Sequence, residues 1–310
     1  MKNSKLFIST LFAAAALGIS ADAAYLDLYL GTATHNETAD ATYDYIRVTN
    51  GTINISNNAV ITTGSFRGTS GNANGPTTLN IQSGATLTVT GTGTSVSAGS
   101  ASFMLANWSR NGTVNVAGTL NVNSGLSSRD GNGFFNVNNG GVVNFVNGLT
   151  FAARNRSNSM NFALNNGGRI NIGSGGIEAT ATDEEQHTTS TPNFTIDGGT
   201  IGILGTDASA AWSTSRELEI GANGLTVDTM VYKMASDGNS SAAIDPAVGG
   251  TITLTGAISG GNALTKDGAG TLALTAAATL GATTVNAGTL SFAGTTSLGT
   301  TTVASGAALD

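Results

Sequence analysis

Short alternating segments, each bounded by Gly or Asn, recur along most of this chain and constrain its fold more than any other feature. Residues 112–116 (GTVNV) and 118–122 (GTLNV) illustrate the pattern. In an extended strand, Val114 and Val116 point to one side and the residues between and before them point to the other. Because Val116 and Leu120 are an even number of positions apart, the apolar side chains of both segments can enter one core.

Equivalent strand positions advance by about the length of one solenoid coil, which indicates stacked repeats. One series is Val114, Phe135 and Met160, and a second is Leu120, Val143 and Ile170. Both series advance by similar steps, and loops of variable length explain the irregularity. After residue 24 the sequence shows no convincing helical periodicity. It therefore predicts an all-β solenoid of short strands with Gly and Asn turns. Residues 51–250 form a degenerate, loop-bearing region of it, and residues 251–310 form a more regular one.

The composition supports this fold and excludes several classes of protein. The chain has 43 Gly but 3 Pro, and 10% of its residues are charged, against roughly 25% in an average soluble protein. Disorder is disfavoured because 40% of the residues are hydrophobic and Val, Ile and Leu recur at regular positions. The absence of Cys excludes disulfides and thiolate metal sites. A net charge of −7 with only 12 basic residues argues against a nucleic-acid partner.

Residues 1–23 are typical of a secretory signal peptide. Two Lys near the N-terminus are followed by an apolar stretch from Leu6 to Ile19, and Ala21-Asp22-Ala23 fits the small-x-small cleavage pattern. The apolar stretch is shorter than the about 20 residues that a stable membrane span needs. The sequence therefore predicts an exported protein with no membrane span after signal removal. Residues 24–50 are expected to form an N-terminal cap and the first strands.

Two specific motifs lie in the regular region. Residues 256–274 read GAISGGNALTKDGAGTLAL, and residues 281–290 read GATTVNAGTL. The K-D-G-A-G-T-L-x-L and T-T-V-N-A-G-T-L patterns closely resemble the autotransporter-associated β-strand repeat, which is found in passenger regions of large exported bacterial surface proteins. The match covers the regular region well, whereas residues 51–250 resemble the family only in style. One departure is at Leu280, near the place where the family commonly has an aromatic residue before the second strand.

This resemblance implies a right-handed parallel β-helix that is displayed at the cell surface or released. The family motif carries no catalytic residues, so the resemblance assigns none to this chain. Residues 300–309 (TTTVASGAAL) look like the start of another unit, and we expect the repeats to continue beyond Asp310. A last coil with unpaired strand edges is expected to favour end-to-end self-association.

Three basic residues are candidates for ligand binding. Arg110, Arg129 and Arg154 each precede a matching strand pair, so they recur at roughly one per coil. Such a row along one edge of the solenoid can bind acidic glycans through bidentate contacts. The alternative is that they are separate, solvated loop residues, because loops carry charge by default.

The acidic residues offer little catalytic chemistry. Glu217 and Glu219 share the outer side of one strand and Asp228 follows one strand later, as expected of a solvated strand face. Asp183-Glu184-Glu185 with His187 can supply ligands to Ca²⁺, but this polar insert lacks the ligand alternation of a dedicated calcium loop. We assign no catalytic residue, no metal and no cofactor.

The remaining candidates are one His and both Trp residues. His35 is isolated near the N-terminus, and we interpret it as a surface residue rather than a base. Trp108 and Trp212 lie beside polar residues, where a ring can stack on a sugar or pack over a coil as an anchor.

Two functions fit these observations. The first is a non-catalytic exported surface protein, a stalk or adhesin located at the cell surface, associated with the outer membrane or extracellular. Its partners would be glycans or a host or matrix surface. The alternative is a β-helix carbohydrate-active enzyme, a polysaccharide lyase or glycosidase. Such enzymes need paired carboxylates, or an acidic calcium site with a basic proton acceptor, on neighbouring coils. The low charge favours the first function, although the fold alone does not decide between them.

Overall fold

The computed structural model describes residues 24–28, 33–48, 50–68, 75–91, 102–106, 111–123, 125–128, 131–153, 159–179 and 193–310. Within these ranges the regular secondary structure consists of β-strands alone. The strands stack in parallel into a β-helix with three faces. The predicted all-β solenoid is therefore confirmed. The predicted signal peptide lies outside the described residues. In the part of the chain that is described, no helix is long and apolar enough to cross a membrane.

The first face is an eleven-stranded parallel sheet, and its strands number the coils from 1 to 11. They are β2 (Ala33–Glu37), β4 (Gly51–Ile55), β6 (Thr77–Ile81), β9 (Gly112–Val116), β12 (Gly133–Val137), β15 (Met160–Asn165), β18 (Asn193–Asp197), β21 (Leu218–Ile220), β25 (Ile258–Ser259), β28 (Ala278–Leu280) and β31 (Thr296–Leu298).

The second face follows the first around each coil and adds one strand, β1, before coil 1. Its strands are β1 (Ala24–Leu28), β3 (Ala41–Val48), β5 (Val60–Gly68), β7 (Thr86–Val89), β10 (Thr119–Val122), β13 (Val142–Phe145), β16 (Arg169–Ile172), β19 (Thr200–Leu204), β22 (Leu225–Met234), β26 (Leu264–Asp267), β29 (Thr283–Val285) and β32 (Thr301–Val303). One antiparallel strand, β23 (Ser241–Ala243), pairs with the end of β22.

The third face closes coils 3 to 11, and the end of β5 pairs with its first strand. Its strands are β8 (Phe103–Ala106), β11 (Leu126–Ser128), β14 (Leu149–Ala153), β17 (Ile177–Ala179), β20 (Ala211–Thr214), β24 (Thr251–Leu254), β27 (Thr271–Leu274), β30 (Thr289–Phe292) and β33 (Ala308–Leu309). Between β17 and β20 the stack continues through a side chain, because the Oγ1 of Thr214 donates to the carbonyl oxygen of Ile177 at 2.6 Å.

The interior is filled by the inward residues of all three faces. Val114, Val116, Leu120 and Val122 are each at most 1% exposed, as their parity predicts. Aromatic rings stack along the axis: the ring centroids of Phe135 and Phe162 are 5.0 Å apart, and those of Phe162 and Phe194 are 4.8 Å apart. Parallel pairing in register thus places like side chains on top of one another.

Strand register confirms one predicted series and corrects the other. Leu120 pairs with Val143, which pairs with Ile170, as predicted. On the first face, however, Phe135 pairs with Phe162, and Met160 pairs with Gly133. Met160 and Phe162 are two residues apart on the same side of β15, so alternation does not distinguish between them.

The turn between the first and second faces requires a left-handed backbone conformation. Three positions after the end of β4, Asn58 has a φ of 59°, and at the same place after β6, Gly84 has a φ of 81°. A Cβ at Gly84 would collide with the Oδ1 of Asn58 on the coil below. The turn therefore favours Gly or Asn, and at Gly84 the close stacking of coils excludes any side chain.

Coils 9 to 11 are the most regular. Ile258, Ala278 and Thr296 follow one another in register at nearly equal steps along the chain. In coil 11, Val303 and Leu309 are 41% and 42% exposed. End-to-end association through this coil stays a prediction.

Replacing the stacked ring of Phe162 tests the aromatic core. We expect Phe162→Ala to lower the free energy of unfolding by about 3–5 kcal/mol, because the lost ring leaves a cavity between two neighbours. The matched control is Phe134→Ala, since Phe134 points outward from β12 and is half-buried. Urea unfolding followed by circular dichroism measures both. Equal losses for the two variants would contradict this assignment of the core.

Candidate functional site

A ladder of Asn side chains runs along the outer side of the first face over coils 1 to 5. Each Nδ2 donates to the Oδ1 of the preceding rung at 2.8–2.9 Å. The rungs are Asn36, Asn54, Asn80, Asn115 and Asn136. Parallel register builds this ladder, because every rung occupies the same outward position of its strand.

A column of Thr residues lies beside the Asn ladder, two positions earlier on each strand. Its members, in register, are Thr34, Thr52, Thr78 and Thr113, and Phe134 continues the column on coil 5. Neighbouring rungs are ~4.8 Å apart along the axis, and the two columns are ~6.6 Å apart along the strands. All ten of these side chains are uncharged and either half-buried or exposed. We call them the amide–hydroxyl face.

A second ladder lies on the second face but is fully buried. The Nδ2 of Asn121 donates to the Oγ1 of Thr88 at 3.0 Å, Asn144 donates to Asn121 at 2.8 Å, and Asn171 donates to Asn144 at 2.8 Å. Asn121, Asn144 and Asn171 are at most 1% exposed. Since outward positions of a solenoid normally face water, some part of the chain has to cover them.

The cover is a hairpin formed by residues 231–244, which lies back across the second face from coil 8 toward coil 3. At its tip, Asn239 accepts a hydrogen bond from the Oγ1 of Thr88 on coil 3 at 2.9 Å. Ser241 lies between coils 5 and 6. Its hydroxyl donates to the Oδ1 of Asn144 at 3.0 Å and accepts from the Nδ2 of Asn171 at 3.5 Å.

A bulge and a charged contact fix the base of this hairpin. The pairing of β22 with β19 shifts register after Asp228, which bends the strand out of the coil. Asp228 accepts a hydrogen bond from Arg169 at 2.8 Å, and the guanidinium of Arg169 lies 4.0 Å from the ring centroid of Tyr232. Both the pair and the cation–π contact are largely shielded from water, which strengthens them. Burial raises the pKa of Tyr232.

Lys266 points into the solenoid and is 0% exposed. Its Nζ donates to three carbonyl oxygens, those of Asp267 at 2.8 Å, Gly268 at 2.7 Å and Ala287 at 2.9 Å. Burial lowers the pKa of Lys266 to about 8, although the carboxylates of Asp228 and Asp267 act in the opposite direction. The Lys of the K-D-G-A-G motif therefore ties the turn of coil 9 to coil 10.

His35, Glu37 and Tyr43 form a polar cluster at coil 1. The Nε2 of His35 lies 2.6 Å from the Oε1 of Glu37, and the hydroxyl of Tyr43 donates to the same oxygen at 2.9 Å. The hydrogen bond with Glu37 raises the pKa of His35 and lowers that of Glu37. His35 is in register with the core residue Ile53 and its side chain is 32% exposed, so it is half-buried and paired with Glu37 rather than isolated.

Several candidate residues predicted from the sequence lie outside the residues that the structure describes. They are Arg110, Arg129, Arg154, Trp108, Asp183-Glu184-Glu185 and His187. Their proposed roles stay predictions.

The other candidates are described. Glu217 and Glu219 are exposed, whereas Asp228 is buried beside Arg169 on a different face. Trp212 is 3% exposed and its Nε1 donates to the carbonyl oxygen of Gly202 at 3.3 Å, as expected of a packing anchor. Among the described residues, no group of three or more His, Asp or Glu is arranged to hold a metal ion.

Two signals in the sequence could have indicated the ladders and the buried Lys. The triplet T-x-N recurs at residues 34–36, 52–54, 78–80 and 113–115, at the same strand position each time. Lys266 has the parity of the inward residue Leu264. The hairpin has no comparable signal, because its partners are as many as 151 positions away in the chain.

Comparison with protein-family models, with curated proteins and with solved structures found no match to this chain.

Removing the buried ammonium of Lys266 tests its structural role. We expect Lys266→Met to lower the free energy of unfolding by about 3 kcal/mol, because three carbonyl oxygens lose their charged donor. Lys233→Met is the matched control, since Lys233 is exposed on the hairpin, and it should change stability by less than about 0.5 kcal/mol. Chemical denaturation measures both, and equal effects would contradict the role of Lys266.

The cluster at coil 1 should make local stability depend on pH. A raised pKa of His35 means that its bond to Glu37 stabilises the fold below about pH 6.5 and loses this effect as the pH rises through the folded-state value. The lowered pKa of Glu37 adds a loss as the pH falls below about 4.5.

His35→Gln isolates the upper limb of this dependence. Hydrogen–deuterium exchange measures the protection of backbone amides in peptides from residues 33–48. At pH 5.5 these amides should be better protected in the parent than in the variant, and this difference in protection should shrink at pH 8.5. A difference that stays constant across this range would show that His35 does not titrate as described.

Proposed function

We propose that this protein is a non-catalytic exported surface protein whose solenoid acts as a stalk or adhesin. The observation that carries the proposal is the amide–hydroxyl face, a regular array of uncharged donors and acceptors along five coils. A stacked solenoid holds such an array rigid, because each coil pairs with the one above and the one below. This arrangement suits contact with an extended partner rather than a reaction at one point.

Four ionisable groups of the described coils support the same proposal by the contacts that they make. Lys266 is bound to three backbone carbonyl oxygens, and Arg169 and Asp228 anchor the hairpin. Asp197 accepts from the backbone N–H of Asn223 at 2.8 Å and so stabilises a turn on the next coil. Each of these groups is occupied by structure, whereas a catalytic acid or base needs access to a substrate.

Export is supported by the sequence. Residues 1–23 have the three parts of a signal peptide, and the regular region resembles repeats of exported bacterial surface proteins.

Expression of the full chain in a Gram-negative bacterium tests this proposal. We expect the mature protein to begin at Ala24 and to be degraded by protease added to intact cells. Mass spectrometry of the N-terminus and immunoblotting measure the two outcomes. Ala23→Phe is the matched control, because a large residue blocks the small-x-small cleavage pattern. An uncleaved chain that stays in the cytoplasm, or mature protein that degrades polysaccharides, would overturn the proposal.

A further inference from the structure

We propose that the amide–hydroxyl face binds a neutral, extended polysaccharide whose chain runs along the solenoid axis. This inference rests on the proposed function and gives the partner of the surface protein a chemical class.

The hairpin shows how an Asn ladder receives a hydroxyl group. On the second face, the hydroxyl of Ser241 bridges two successive rungs, donating to Asn144 and accepting from Asn171. At the tip of the hairpin, the hydroxyl at the end of the same ladder, that of Thr88, donates to the amide oxygen of Asn239 at 2.9 Å. The hairpin thus contacts the buried ladder through hydroxyl and amide groups.

The amide–hydroxyl face can bind hydroxyl groups in the same way, and its side chains are accessible to a partner. An Asn side chain has two N–H donors and two acceptor lone pairs on its oxygen. The ladder uses one donor and one lone pair of each inner rung, so Asn54, Asn80 and Asn115 retain one of each. The adjacent Thr hydroxyls add a donor and acceptors on coils 1 to 4. Asn80 is half-buried on this face, whereas its counterpart Asn144 is completely covered.

The spacing of the face requires a partner with a short repeat. Rungs recur every ~4.8 Å along the axis, so a partner that bonds to several rungs has to present a hydroxyl at a similar interval. A pyranose unit in an extended, β-linked chain has a comparable length and carries several hydroxyls. Helices and loops on a protein surface do not present one hydroxyl at such a regular interval.

The charge and the aromatic residue of the face further limit the partner. None of the ten side chains is charged, so a sulfate or carboxylate on the partner would lose water without gaining an opposite charge. Phe134 presents an apolar ring at the end of the Thr column, beside Thr113 and Asn161. An aromatic ring of this kind packs against the C–H face of a sugar while neighbouring polar groups bond to its hydroxyls.

Affinity electrophoresis of the mature chain in native gels tests the proposal. The probes are hydroxyethyl cellulose and galactomannan as neutral polysaccharides, with alginate and dextran sulfate as acidic ones. We expect both neutral probes to retard the protein and the acidic ones not to. Retardation by the acidic probes alone would overturn the proposal, and so would no retardation by any of them.

Substitutions on two faces locate the site. The first variant combines four substitutions. Thr52→Val, Thr78→Val and Thr113→Val remove central hydroxyls while keeping β-branched side chains, and Asn80→Val removes one rung. We expect this variant to bind at least tenfold more weakly. A second variant, Phe134→Ala, should lose affinity without changing the ladder. Unchanged binding by both would overturn the assignment of the face.

The control uses the third face, where Thr251, Thr271 and Thr289 form a half-buried column in register. Their joint replacement by Val should leave binding within twofold of the parent, and an equal loss would also overturn the assignment. Circular dichroism confirms that each variant is folded. Surface display is measured separately by protease treatment of intact cells, so a displayed protein that fails to bind disproves only this inference.

Discussion

Parallel, in-register pairing between successive coils is the constraint on which this structure depends. It places each side chain directly above its counterpart, so one strand position becomes a column along the solenoid. Inward columns form the core, as the stacked rings of Phe135, Phe162 and Phe194 show. Outward columns form ladders of amides or hydroxyls. A chain with few charges can therefore build both a stable interior and a patterned exterior from a few residue types.

The fold follows from alternation and repeat length, and both are visible in the sequence. The even separation of Val116 and Leu120 correctly placed two faces around one core. The sequence determines the strand register less well, because Met160 and Phe162 have the same parity and both are apolar. In the structure Phe162 pairs with Phe135 and stacks between two other rings. Local periodicity defines which side a residue faces, but the choice between positions two residues apart depends on packing against other coils.

The site was less predictable than the fold, for two physical reasons. Each Asn rung is visible as an outward strand position, whereas its function as a ladder depends on contacts across coils. Lys266 belongs to the K-D-G-A-G motif, and three carbonyl oxygens compensate its burial. Buried charge requires such compensation, and sequence alone does not show where the acceptors converge. The hairpin of residues 231–244 was missed because its contacts join parts of the chain that are far apart.

The same hairpin has a mechanical consequence. A plain solenoid can open one coil at a time from either end, because each coil contacts only its neighbours. Here Asn239 is bonded to coil 3, Ser241 to coils 5 and 6, and the hairpin itself emerges from coil 8. Coils 3 to 8 are thereby held as one block, while coils 1 and 2 and coils 9 to 11 lie outside it. Under tension along its axis, such a rod would lengthen first at these ends and keep the part of the amide–hydroxyl face on coils 3 to 5 intact until the hairpin is released.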